Sequence, residues 1–252
     1  MRIRKMLKLI SVIALLGMVF VKTSESQTLR RAKNYEQINV KIVKKIPLPK
    51  WYHEGLFWNG KDIWVCNGKD GKIWVVDTAS GSVTSEIEPV AGFTEAVAKK
   101  PDGTYFMTDW NEKKLYKVKI ENNKMAPQAE VSFEPAHPAG IGFVGSRLFV
   151  ITWRRGLGTK FNILEVDGGM NVVQKIKIKD IQEPAHMAWD GHHLWITSWF
   201  YRCVYKIDMN RLEIVGQFES PVVKATGIAW DGKYLWITGT DSDLFQLEIV
   251  SS

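Results

Sequence analysis

A chain of 252 residues is long enough for one large domain or two small ones, and it can bury a sizeable core. Eleven residues are Trp, an aromatic richness that favours strands over helices. The formal charge is +7, but residues 1–26 hold five basic residues and one acid, so the remainder carries +7 − 4 = +3, which gives no reason to expect a nucleic-acid partner.

The chain opens on Arg2, Arg4, Lys5 and Lys8, followed by the apolar run Leu9 to Val21 and the small polar stretch Thr23-Ser24-Glu25-Ser26. This is the layout of a secretory signal, and the run is short for a transmembrane helix. Residues 1–26 are therefore expected to be a signal peptide and 27–252 a single exported domain, periplasmic or secreted. An uncleaved anchor is the alternative, and membrane contact is expected through that segment if at all.

The next feature is a repeat. GLFWNGKDIWV, AVAKKPDGTYFMT, GIGFVGSRLFVIT, HMAWDGHHLWITS and GIAWDGKYLWITG each join an apolar strand to an aromatic-rich one through a tight polar turn. The second-strand aromatics are Trp64, Phe106, Phe149, Trp195 and Trp236, spaced by 42, 43, 46 and 41 residues. That is the period of a propeller blade. A third strand follows in every unit (IWVVD, LYKVK, ILEVD, VYKID, LFQLE) and a fourth in all but the last (VTSEI, AEVSF, VVQKIKI, EIVGQF). The missing outer strand is supplied by Asn39 to Val43 near the N-terminus. The expected fold is thus all-β: a five-bladed propeller of four antiparallel strands per blade, closed by an N-terminal strand so that no blade edge is left open. Cys66 and Cys203 fall on non-adjacent blades and are expected to be unpaired thiols.

In such a ring the first strands line a tunnel, and the residues just before them gather at one mouth. Glu54 and Glu95 stand at equivalent positions of adjacent blades. Sharing one cavity would raise at least one of their pKa values and leave a carboxyl able to exchange a proton near neutrality. The bland alternative is a pair of carboxylates bound to backbone N–H groups. Trp58, Trp64, Trp74, Trp189, Trp195, Trp230 and Trp236 sit at repeat positions and read as blade packing. Trp110, Trp153 and Trp199 fall three to four residues later, towards the mouth, and are the ligand-contact candidates. His53, His137 and His186 have different offsets and form no ring of metal ligands. Asp102, Asp190 and Asp231 read as turn residues, and Arg154 to Gly158 as a basic, flexible insert that is a contact for an acidic ligand or, more simply, a solvated loop.

These residues resemble the plant and bacterial type of glutaminyl-peptide cyclotransferase, a five-bladed propeller family. The likeness spans most of the chain after residue 26. Tyr52-His53-Glu54-Gly55-Leu56 is similar to the family's Phe-Thr-Gln-Gly-Leu segment. Phe93-Thr94-Glu95-Ala96-Val97 is similar to the Phe-Gly-Glu-Gly-Leu segment that carries its catalytic glutamate, and Trp110 and Trp199 match tryptophans of its pocket. The resemblance implies closure of an N-terminal glutamine into pyroglutamate with release of ammonia. Glu95 would shuttle the proton, Glu54 would hold the substrate amine, and Tyr52, Phe93, Trp110 and Trp199 would form the walls, with Trp153, placed by its position in the repeat, as a further substrate contact. It implies no cofactor, no metal, a peptide or protein N-terminus as partner, and a monomer. A family tryptophan, asparagine and lysine fall on Ala139, Ala185 and Thr240. These departures suit a second reading, a non-catalytic exported propeller that binds a small ligand or protein at the tunnel mouth. A third, a lyase or lactonase of related shape, would need a divalent metal.

Overall fold

The computed structural model describes residues 27–250, so the segment read as a signal peptide lies outside the described residues. The chain first lays down β1 (Gln27–Gln37) and β2 (Asn39–Ile46). Blade one is β3 (His53–Trp58), β4 (Ile63–Asn67), β5 (Lys72–Val76) and β6 (Val83–Ile87). Blade two is β7 (Thr94–Lys99), β8 (Tyr105–Asp109), β9 (Lys114–Glu121) and β10 (Lys124–Ser132). Blade three is β11 (His137–Val144), β12 (Arg147–Arg154), β13 (Lys160–Val166) and β14 (Val172–Ile178). Blade four is β15 (Pro184–Trp189), β16 (Leu194–Ser198), β17 (Cys203–Asp208) and β18 (Glu213–Glu219). Blade five has β19 (Ala225–Trp230), β20 (Leu235–Gly239) and β21 (Leu244–Val250). It is completed by β2, antiparallel to β21 with Asn39 opposite Val250 and Ile46 opposite Leu244. The ring therefore closes as the repeat requires, and the closing strand runs on past Val43.

One element departs from the repeat. Strand β1 pairs in parallel with β14 (Gln27 opposite Ile176) and then with β18 (Gln37 opposite Gln217). It joins blades three and four into one nine-stranded sheet, so these two blades are not purely antiparallel four-stranded units. The segment QTLRRAKNYEQ offers no alternation to read; Leu29 alone is fully buried, packed between the two blades. Cys66 and Cys203 are buried free thiols.

The hairpin turns show how local chemistry builds the blades. Asp190 Oδ1 accepts the His192 and His193 N–H groups at 2.7 and 2.6 Å, while its Oδ2 accepts Trp195 Nε1–H at 2.7 Å. Asp231 repeats this with Lys233, Tyr234 and Trp236 at 2.8, 2.7 and 2.7 Å. One carboxylate thus sets the turn and satisfies the buried indole. Blade one has Asn59 in that place. Its Oδ1 accepts Lys61 and Asp62 N–H at 2.8 and 2.7 Å, and the buried Trp64 Nε1 is left without a partner.

The inner strands β3, β7, β11, β15 and β19 pack side by side around the axis in three levels. The first is Glu54, Glu95, Ala139, Ala185 and Thr226. The second is Gly55, Ala96, Gly140, His186 and Gly227. The third is Leu56, Val97, Ile141, Met187 and Ile228, all buried. Small residues at the second level are a steric requirement. A Cβ on Gly140 would lie 2.4 Å from His186 Cα, and one on Gly227 would lie 2.5 Å from Glu54 O. The His186 ring occupies the space those residues leave, with Nε2 beside Gly55 and Cδ2 beside Gly140. It divides the axis into a cavity at the first level and another at the third. Trp58, Trp189 and Trp230, read as blade packing, line this second opening as well as packing against the blades.

The pairing of aspartate with indole can be tested. Asn59→Asp supplies the missing acceptor to Trp64 and should stabilise the protein, whereas Asp231→Asn should cost about 1–3 kcal/mol. Chemical denaturation of both variants checks this; a destabilised Asn59→Asp with a neutral Asp231→Asn contradicts it.

Candidate active site

The first-level cavity encloses about 170 Å³. Clefts that bury drug-sized ligands run to about 300–1,000 Å³, so this one suits a single residue or chain end. Tyr52, Glu54, Phe93, Glu95, Trp110, Trp153 and Trp199 all line it, together with Ala139, Ala185, Thr226 and Arg155. Every candidate side chain picked out from the sequence is brought to one place.

The walls are held by ring packing. Trp110 stacks on His137 at 4.7 Å between centroids and meets Trp153 edge-on at 5.6 Å; Tyr52 meets Phe93 edge-on at 6.3 Å. His137 Nδ1 lies 2.9 Å from Trp110 O. Trp153 is buried, its Nε1–H donates to Pro184 O at 2.7 Å, and it packs edge-on against Phe161. It therefore offers the cavity an apolar face and braces Trp110, with no polar handle to spare. Trp199 is fixed through its backbone N–H, which donates to Glu183 O at 2.8 Å.

Two carboxyls stand between these walls. Burial is the main cause that lifts Glu54 well above the ordinary carboxylate range, and the neighbouring Glu95 adds to it. Glu95 is pushed up to about 8, first by burial and then by the charge of Asp109. Glu95 keeps some surface open to the cavity while Glu54 is buried outright, so Glu95 is the more reachable of the two. Asp109 holds the neighbouring backbone in place. Its Oδ2 accepts Phe93 N–H at 2.8 Å and its Oδ1 accepts Glu112 N–H at 2.7 Å. It positions the Phe93 wall and presses on Glu95. Its place at the end of β8 is visible in the sequence, but its effect on Glu95 is not.

Beneath the residues that line the cavity, His186 fills the second level. Its Nδ1 lies 2.9 Å from Ile228 O, and Nε2 is buried without a partner. Burial pushes this imidazole down to about 4, so it is neutral at ordinary pH. In the sequence its offset from the other histidines hides it. Alignment of the inner strands finds it, as the one bulky residue in a column of Gly and Ala. His53 is also buried, with Nδ1 2.9 Å from Asn67 Oδ1 and Nε2 3.0 Å from Pro49 O, and burial lowers its pKa. Cys66 belongs to the same region, its thiol pushed up by burial and by both glutamates.

The departures from the expected pattern fall at defined places. Ala139 and Ala185 leave the far side of the first level bare. Thr240 does not line the cavity, but Lys224 of the same blade lies over the Trp199 ring at 5.6 Å. Arg155, part of the insert read as a solvated loop or a contact for an acidic ligand, is exposed, lies over the Trp110 ring at 5.2 Å and lines the cavity. Among the described residues no group of three or more His, Cys, Asp or Glu side chains is placed to hold a metal ion.

Comparison with known proteins agrees with this architecture. No curated protein matches the chain in sequence. Among solved structures, glutaminyl cyclase of Myxococcus xanthus superposes with a TM-score of 0.68 at 15% identity, covering 89% of this chain and 100% of that one. The β-propeller domain of Cps50 (Swd1) from Myceliophteria thermophila follows with a TM-score of 0.52 at 9% identity, covering 84% and 100%. At such identities the likeness is one of fold. The sequence profile of glutamine cyclotransferase, however, matches residues 11–240, nearly the whole ring and every cavity residue named above. The chain belongs to the glutamine cyclotransferase family.

Proposed function

We propose that this protein converts the N-terminal glutamine of peptides to pyroglutamate, with Glu95 as the proton shuttle. The observation that carries the reading is a carboxyl with a pKa near neutrality, facing a one-residue cavity with aromatic walls and a closed floor. In the reaction the substrate's α-amine attacks the carbon of its own γ-amide. An N–C bond forms, the amide C–N bond breaks, and ammonia leaves. The attacking nitrogen must lose a proton and the departing one must gain it, which one carboxyl can do in sequence. Burial brings the pKa of Glu95 close to that of an α-amine, about 7.7–8.0, so transfer in both directions costs little. Glu54, next to it, would accept the amine hydrogen bonds. Tyr52, Phe93, Trp110 and Trp199 would hold the side chain folded onto the amine and keep water away.

The same reading takes residues 1–26 as an export signal, supported by their basic start and apolar run. Intact mass of the protein recovered outside the cytoplasm tests this, since retention of those residues would contradict cleavage. A second reading, ligand binding without chemistry, has Ala139 and Ala185 in its favour. It would be supported by glutamine-peptide binding with no ammonia released.

Replacing the proton carrier should lower ammonia release from a glutamine-initiated peptide by about 10²–10⁴-fold in Glu95→Gln. For wild type, the rate should rise with pH through about 8, as Glu95 loses its proton. A Glu95→Gln variant of undiminished rate overturns the mechanism. The same carboxyl has a stability consequence. Its folded pKa lies above the ordinary 4.5, so the folded state holds a proton that the unfolded state releases. Stability is then greatest below about pH 4.5 and falls towards pH 8. Because Glu95 is partly open to the cavity, the loss should be about 1–3 kcal/mol rather than that of the full shift. Glu95→Gln should therefore stabilise the protein at pH 8 and do little at pH 4; thermal melts at both values check the sign.

A further inference from the structure

Three cations stand around the cavity mouth, each laid over one of its aromatic walls. Lys69 Nζ lies 4.6 Å from the Tyr52 ring centroid, Arg155 Cζ 5.2 Å from that of Trp110, and Lys224 Nζ 5.6 Å from that of Trp199. They come from blades one, three and five, so the charge is spread round the opening. All three are exposed, and among the described residues none takes part in an ion pair with a carboxylate. Eleven other Lys and Arg side chains do pair with carboxylates. Asp70, beside Lys69 in sequence, and Asp241, just past β20, form no ion pair with these cations among the described residues.

The acids inside the cavity do not cancel this rim, because burial drives Glu54 and Glu95 towards their neutral forms. Cation–π contact with the walls holds each positive group near the opening. A peptide that enters amine-first places its first residue between the walls, and its second and third residues at the rim.

We propose that the rim formed by Lys69, Arg155 and Lys224 selects peptides whose glutamine is followed by acidic residues. This inference rests on the proposed entry of an N-terminal glutamine into the cavity. The three cations attract Asp or Glu side chains just downstream and repel Lys or Arg there, so they set which chain ends dock.

The test uses two peptides, Gln-Glu-Gly-amide and Gln-Lys-Gly-amide. Each is titrated against the Glu95→Gln protein by Trp fluorescence, and ammonia release is followed with wild type. At low salt the acidic peptide should bind about five- to tenfold more tightly, as expected for a few exposed charges acting together. The advantage should shrink at high salt and vanish in a protein that also carries Lys69→Gln, Arg155→Gln and Lys224→Gln. Equal binding, tighter binding of the lysine peptide, binding of neither, or a preference that survives those changes overturns the proposal. Absence of ammonia release from both peptides overturns the catalytic reading alone, since the order of binding still decides the role of the rim.

Discussion

The close approach of five inner strands at the level of Gly55, Ala96, Gly140, His186 and Gly227 is the constraint on which the site depends. At Gly55, Gly140 and Gly227 even a Cβ would strike the neighbouring blade's backbone, and the fourth small residue is Ala96. The fifth position takes the imidazole that fills the axis. Strands packed this tightly leave no channel, so the cavity above has a floor and the apolar level below is sealed from it. Without that floor, water would reach the glutamates from both sides. The burial that lifts their pKa values would then be lost.

The glutamates stand in tension with the fold that holds them. Two carboxyls and Asp109 share one region, and none is neutralised by a cation among the described ion pairs. The cations that could have served are held outside, over the aromatic walls. Charge is thus sorted by depth, with suppressed acids at the base and exposed bases at the rim. Such an arrangement is poor for stability and useful for proton transfer, since a carboxyl paired with Lys or Arg would be too weak a base. The five repeats supply the rigidity that tolerates it. Closure by β2 removes the open edge, and β1 ties two blades together across their outer strands.

Much of this is legible in the sequence, for identifiable reasons. Strand alternation, Asn-Gly and Asp-Gly turns and a period of about 40–45 residues are local signals. They suffice for the blades and, through the unpaired end of the last unit, for the role of Asn39 to Val43. The cavity residues are legible because a repeat puts equivalent positions at one mouth. Glu54 and Glu95 have only to be aligned to be brought together. Strand β1 is not legible, because its partners are outer-strand edges far along the chain and its one buried anchor, Leu29, makes no pattern. The ring contacts of Arg155 and Lys224 escape notice for a related reason. Their role comes from lying across rings on other segments, and nothing in a flexible Arg-Gly stretch predicts that. His186 is intermediate: its column is readable, but its plugging role needs the packed ring.

The proposed chemistry stands or falls on the protonation of Glu95. Carbon-13 labelling of glutamate side chains, with NMR assignment of Glu95 by its loss in Glu95→Gln, measures this directly. A carboxyl carbon that titrates near pH 8, with Glu54 also shifted upward, is the result expected of two acids sharing a dry, floored cavity. Titration of both near the ordinary 4.5 would mean that the cavity is wet and that neither group can serve as the proton carrier.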